Sequence, residues 1–314
     1  MIAHQVAGKA ARDGFFLQNF SPSSLPKMVV GGALLSFLLA VFFARITERS
    51  GPARIVPGAF TLSAALHLAE WFSVGALPRV TSVLIYLHIV GLGAILLSGF
   101  WLLLSEVFDL REAKRRFGRV AGFGTAGGVL GGIAAERLAA LGWGDQLLLL
   151  LSLLHVMCAG ISSSLKPPTG HVHRHHEPVT FRKAFSRTPL LWQLALLVFL
   201  GTCTAALLDY LFKLGAAMEM GRGPALVRYF AIYYTASQVL TFLLQTFVAK
   251  SAVEKLGVSK SVASLPVAVG LGSTVALLIP LYPVVVLLRA TEMILRQTRQ
   301  PDRARRGDQP VRRR

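Results

Sequence analysis

Acidic residues are scarce in this chain: 15 Asp and Glu stand against 33 Lys and Arg in 314 residues, a formal net charge of +18. Charge of either sign is scarce too, at 15% of residues, while 54% are hydrophobic and the mean hydropathy is +0.57. An ordinary soluble domain carries about 25% charged residues, so that class is excluded. There are two cysteines, Cys158 and Cys203, each inside an apolar segment, which excludes a disulfide framework and a cysteine-based metal or redox site. Residues 1–20 contain His, Lys, Arg and Asp and lack a clean apolar core, so no cleavable signal peptide is expected. Strict apolar–polar alternation is missing from runs such as 146–154, which argues against a transmembrane β-barrel. No Ser-His-Asp arrangement, Walker loop or metal signature with correct spacing is present. The chain is therefore expected not to be an enzyme and to need no cofactor or metal.

What is present is a series of long apolar blocks. Residues 28–43 and 80–105 contain no charge at all. A bilayer core demands about 20 apolar residues per helix, because nothing there hydrogen-bonds a bare backbone. Spans are expected at 1–18 (weakly), 27–44, 55–77, 80–104, 117–141, 146–165, 189–212, 229–249, 261–281 and 283–295. The fold class is thus an all-α integral membrane protein of about nine or ten helices, with the lipid bilayer as its first partner. The gaps 45–54, 109–119, 166–187 and 250–260 hold 16 Lys and Arg, against 6 in the opposite gaps. Basic loops mark the cytoplasmic side, so the N-terminus is expected in the cytoplasm and the protein in the cell membrane.

The polar segment at 166–188 separates six expected spans, 1–165, from a second set at 189–296. Six helices, a cytoplasmic loop and more helices is the layout of a major-facilitator-like bundle, whose halves are related repeats. A twelve-span bundle needs two or three more spans, so the C-terminal half is expected to be incomplete. Nine basic residues fall within 289–314, and 297–314 reads as a disordered basic tail drawn to anionic headgroups. It has no interleaved aromatics, and no nucleic-acid role is expected of it.

Charges inside spans are costly and therefore informative. They occur at Lys9, Arg12 and Asp13, at Glu70, at Glu106, at Asp209 and Lys213, and at Arg289. For Lys213 and Arg289, outward snorkelling competes with function; the short carboxylates of Glu106 and Asp209 cannot snorkel far. Both signs on different helices suit an anionic solute, with cations for phosphate and carboxylates to hold them when the site is empty.

The run from Phe100-Trp101 through Ser105-Glu106 to Glu112-Ala113-Lys114-Arg115 resembles the ATP/ADP translocases, the nucleotide-exchange transporters of plastids and intracellular bacteria, and their bacterial relatives. That family shows Phe-Trp, Asn-Glu and Glu-Ala-Lys-Arg at the same spacing, with Asn where Ser105 stands. Lys9-x-x-Arg12-Asp13 resembles its Arg-Asp-x-Lys-Asp, with Arg12 in place of the functional Lys. Asp209-x-x-Phe212-Lys213 resembles its Glu-x-x-Trp-Lys. The late Lys-Glu-Met-x-Tyr motif is absent. The resemblance implies a membrane antiporter exchanging ATP-type and ADP-type nucleotides, or another anionic small molecule. It implies a substrate-binding set of Lys9, Arg12, Asp13, Glu106, Asp209 and Lys213, with Arg12, Glu106 and Asp209 around one mid-membrane cavity. The alternative is a non-transporting anchor or sensor derived from that fold.

Two local patterns read as structure. Gly122-x-Gly124-x-x-Gly127 fits a dinucleotide fingerprint, but no strand precedes it. Gly124, Gly128 and Gly132, with Gly127 and Gly131, instead offer small residues for close helix packing. His171, His173, His175 and His176 form a tract in the 166–188 loop, where functional metal binding is the weaker reading.

Overall fold

The computed structural model describes residues 1–108, 110–165, 189–221, 223–248 and 265–298. Within them the chain forms α-helices and no strand. These are α1 (Ile2–Asn19), α2 (Leu25–Ser50), α3 (Pro52–Val74), α4 (Pro78–Val107), α5 (Leu110–Ala140) and α6 (Gln146–Ser164). After the 166–188 segment come α7 (Pro189–Met220), α8 (Pro224–Leu243), α9 (Leu265–Leu278) and α10 (Tyr282–Thr298). The loop with its histidine tract and the basic tail at 299–314 lie outside the described residues.

Five of these helices are long and apolar enough to cross a membrane: α2 with the turn before it, α3, α4, α6 and α7. Their apolar side chains also face outward. Val30, Leu34, Phe37, Leu38 and Phe42 on α2 are 61–67% exposed. Such a surface is not tolerated in water and is what lipid requires. By that measure five of the nine or ten expected spans qualify among the described residues; α1 does not qualify, because it carries charge, yet it lies inside the bundle. The reason is packing: α1 is enclosed by α4, α5, α6 and α8, so its environment is protein. Ala7, Ala10, Ala11, Phe16 and Leu17 are buried on it, beside Asp13.

Helix ends are set by backbone chemistry more than by hydropathy. The expected span 27–44 runs on to Ser50, where Gly51 takes φ 75° and Pro52 opens α3 at a position whose N–H is dispensable. α5 stops at Gly142, φ 77°, with Gly142 N–H on Ala139 O and Trp143 N–H on Leu138 O closing the left-handed cap. α7 outlasts the expected 189–212 and ends before Gly221, φ 68°.

The glycines of α5 act as the packing reading requires, with one correction. A Cβ on Gly128 would meet Ile2 and Gln238 at 3.0 Å, and one on Gly124 would meet Ile2 at 3.1 Å. At Gly131 it would strike the Ala3 backbone, and at Gly132 the Thr235 hydroxyl. Gly127 faces open space and does not belong to the seam. These glycines bring α5 against α1 and α8, and so seat α1 at the junction of the two sequence halves.

Candidate functional site

The charged residues of α1 lie on this junction. Asp13 is fully buried, and its carboxylate accepts from Arg12 Nε at 2.7 Å and Arg12 Nη2 at 2.9 Å. The Tyr234 hydroxyl of α8 donates to Asp13 Oδ2 at 2.6 Å. Lys213 Nζ of α7 bridges Asp13 Oδ1 at 2.9 Å and Asp209 Oδ2 at 2.6 Å. Asp209 Oδ1 in turn accepts from Arg289 Nη2 of α10 at 2.9 Å. Arg289 also pairs with Glu292, which accepts from Arg296 Nε at 2.6 Å. The result is one chain of ion pairs across α1, α7 and α10, braced by α8.

Aromatic faces complete it. The Arg12 guanidinium lies 5.2 Å from the Tyr86 ring centroid, and the Lys9 ammonium 5.9 Å from that of Tyr234. At 1.5 Å per residue, Asp13, Lys213, Tyr234, Arg289 and Tyr86 stand about 9–15 Å from their helix ends at Asn19, Met220, Pro224, Tyr282 and Pro78. The Asn19–Ser82 and Tyr229–Tyr282 hydrogen bonds, each 2.8 Å, tie four of those ends together. The network thus occupies one level, about 9–15 Å in from that end of the helices.

Lys9, Arg12, Asp13, Asp209 and Lys213 are therefore brought together, as the sequence suggests. Glu106 is not. It follows Tyr86 on the same helix by about 30 Å of rise. There it lines a separate, mostly apolar groove of about 650 Å³ between α2 and α4, with Glu48 and Thr47. The expected shared cavity of Arg12, Glu106 and Asp209 is corrected accordingly: a carboxylate at the end of a thirty-residue helix cannot reach a site near its beginning. That groove lies between α2 and α4 and is lined mainly by apolar side chains. The ion network is the better functional candidate.

A second polar cluster lies between α1, α3, α4 and α6. Glu70 accepts from His67 Nδ1 at 2.7 Å and from His88 Nδ1 at 2.8 Å. His67 Nε2 meets His4 Nε2 at 2.9 Å. The Ser63 hydroxyl joins His88 Nε2 at 2.7 Å to His155 Nδ1 at 2.8 Å. His4 and His155 stack with ring centroids 3.5 Å apart. All six residues are buried.

No protein-family model matches this chain, and no curated protein matches it. Function therefore has to be argued from these two clusters.

Sequence reasoning missed Tyr234, because an isolated tyrosine in an apolar span carries no pattern. Glu292 was missed too, although a signal was there: it stands three residues after Arg289 on one face of α10. Of the histidine cluster, Glu70 is singled out by its charge alone. The four histidines are far apart in sequence, and only His67-x-x-Glu70 has helical spacing.

Proposed function

We propose that this chain is a membrane carrier for an anionic, phosphate-bearing solute of nucleotide type, working by alternating access in a major-facilitator-like bundle. The observation that carries the reading is the charge balance of the buried network. Lys9, Arg12, Lys213, Arg289 and the half-exposed Arg296 face Asp13, Asp209 and Glu292, so cations exceed carboxylates by two. Lys9 is the interior one: it has a tyrosine face, and among the described residues no carboxylate oxygen lies within 4 Å of its ammonium, although Asp209 and Asp13 are near. A buried surplus cation is expensive unless an anion visits it.

The rest of the network suits a carrier. Asp13 and Asp209 neutralise Arg12, Lys213 and Arg289 while the site is empty. An arriving phosphate takes over guanidinium and ammonium donors one by one, with Arg12 and Arg289 offering two-pronged contacts. Because α1, α7 and α10 each contribute, exchanging carboxylate for phosphate partners changes how the two sequence halves are tied, which is what rocking requires. The resemblance of Lys9-x-x-Arg12-Asp13 and Asp209-x-x-x-Lys213 to the ATP/ADP translocases supports nucleotide as the solute and the cell membrane, N-terminus inside, as the setting.

The test is exchange of labelled ATP and ADP by the purified full chain in liposomes, with inorganic phosphate and a neutral nucleoside as comparison solutes. Saturable uptake of a phosphorylated solute, lost in Lys9→Gln, is expected. Uptake of none of them, or equal uptake by wild type and Lys9→Gln, overturns the reading.

A further inference from the structure

The histidine cluster lies apart from the ion network and has no part in the transport reading. Its hydrogen bonds fix where every proton sits. With the Glu70 carboxylate ionised, His67 and His88 both donate through Nδ1, so in neutral rings both Nε2 atoms are bare lone pairs. The His67 lone pair must then accept from His4 Nε2, which leaves His4 Nδ1 without a proton. The His88 lone pair accepts from the Ser63 hydroxyl, whose oxygen accepts from His155 Nδ1. That leaves His155 Nε2 without a proton as well.

Both ends of the chain are therefore lone pairs with nothing to accept. His4 Nδ1 and His155 Nε2 are the buried ring nitrogens that have no hydrogen-bond partner among the described residues. His4 is 2% exposed and His155 1%, so water does not reach them. The two rings stack face to face, with centroids 3.5 Å apart. A purely structural network would end on donors and acceptors that match. This one ends on bases, around a single carboxylate charge, in a bundle interior where an unsatisfied polar atom is costly. What it lacks is a Lewis acid.

The geometry points to a binding site for one divalent transition-metal ion of the Zn²⁺ type, held by His4, His67 and His155. These three offer one nitrogen each, with the ligand atoms within 4.8 Å of one another. A tetrahedral ion with Zn–N bonds of about 2.0–2.1 Å needs nitrogens about 3.4 Å apart. Metal entry at His4 Nε2 replaces the His4–His67 hydrogen bond: the proton on that nitrogen passes to the bare His4 Nδ1, and the two Nε2 atoms, 2.9 Å apart, separate by about 0.5 Å. Glu70 stands behind His67 and accepts from its Nδ1, the carboxylate–histidine arrangement that orients a metal-bound imidazole and raises its basicity. Imidazole nitrogens suit Zn²⁺, Co²⁺, Ni²⁺ and Cu²⁺, whereas Mg²⁺ and Ca²⁺ require oxygen. Three neutral imidazoles and the Glu70 charge leave the loaded site with one positive charge, less than the bare ion brings into the bilayer.

The test uses the full chain, stripped with chelator, in which His171, His173, His175 and His176 are replaced by Ala to remove the loop tract. Zn²⁺ stoichiometry is measured by elemental analysis, and Co²⁺ titration reads the visible bands of a tetrahedral nitrogen site. About one ion per chain is expected, weakened at least about tenfold in His155→Gln and less affected in Cys203→Ser. X-ray absorption of the Zn²⁺-loaded parent covers the case in which His155→Gln does not fold: imidazole scatterers at about 2.0–2.1 Å are expected. No bound ion in the parent, unchanged affinity in a folded His155→Gln, or an absorption spectrum without imidazole overturns the site. None of these readouts depends on transport, so the site stands or falls independently of the carrier reading.

Discussion

The Lys213 ammonium lies 2.9 Å from the Asp13 carboxylate, with only 2% and 0% of the two side chains exposed. It is a direct ionic tie between α1 and α7, the opening helices of the two sequence halves. Such a pair costs much to desolvate and more to break, because the surviving charge stays buried.

Asp13→Asn removes the charge that faces both Arg12 and Lys213. A loss of about 3–5 kcal/mol is expected, read as a large fall in the unfolding temperature of the purified protein. Adding Lys213→Met removes one of the two cations that lose a partner, the one that still has Asp209, and should recover part of that loss. Strictly additive losses in the double variant would show that the two residues do not act on each other.

Lys9→Gln separates binding from stability. Lys9 makes no direct ion pair among the described residues, so its neutralisation should leave the unfolding temperature within a degree or two of wild type. Affinity for a phosphorylated solute should fall about ten- to a hundredfold, the effect of about 1.5–3 kcal/mol from one charge-assisted contact. A destabilised Lys9→Gln with unchanged affinity would assign Lys9 to the scaffold instead.

The α5 seam makes a graded prediction. Gly131→Ala drives a methyl into the Ala3 backbone, which cannot step aside, and should lower the yield of folded protein sharply. Gly128→Leu should do the same by separating α5 from Ile2 and Gln238. Gly127→Ala meets nothing and should be neutral, or stabilising by up to about 1 kcal/mol through helix propensity. Equal behaviour of Gly127→Ala and Gly131→Ala in a size-exclusion thermostability series would contradict the seam.

The helices were legible because long apolar runs and their glycine and proline stops are local signals. The ion network was partly legible for a different reason: a charge in an apolar span is conspicuous wherever its partner lies, and so Lys9, Arg12, Asp13, Asp209 and Lys213 stand out. What hydropathy cannot convey is depth along a long helix, which is why Glu106 was grouped with residues a full membrane leaflet and more away. The histidines were illegible for the converse reason. His4, His67, His88 and His155 are solitary and uncharged at neutral pH, and they meet only because α1, α3, α4 and α6 pack around one axis. The tract at 171–176, conspicuous in sequence, competes for notice with the buried site through density alone.

Orientation is open to a direct experiment on cells. Residues at the α2–α3 turn and at the α5–α6 turn terminate helices at opposite ends: α3 leads from Gly51 to Gly75, and α4 and α5 then go back and forth to reach Gly142. The end that holds Gly51 is also the end of Met1, whose amino group lies 3.3 Å from Cys158 Sγ near the close of α6. The basic residues at 45–54 belong to this end, and basic loops stay inside. In a Cys158→Ser, Cys203→Ser background, a cysteine replacing Gly144 should react with an impermeant maleimide on intact cells, and one replacing Ser50 should react only after permeabilisation. Ser50 is exposed and Gly144 half-buried, so a silent result at Ser50 reports the membrane and not burial. The reverse pattern would place the N-terminus outside, and would require the 16-to-6 basic asymmetry to be overruled by the rest of the chain.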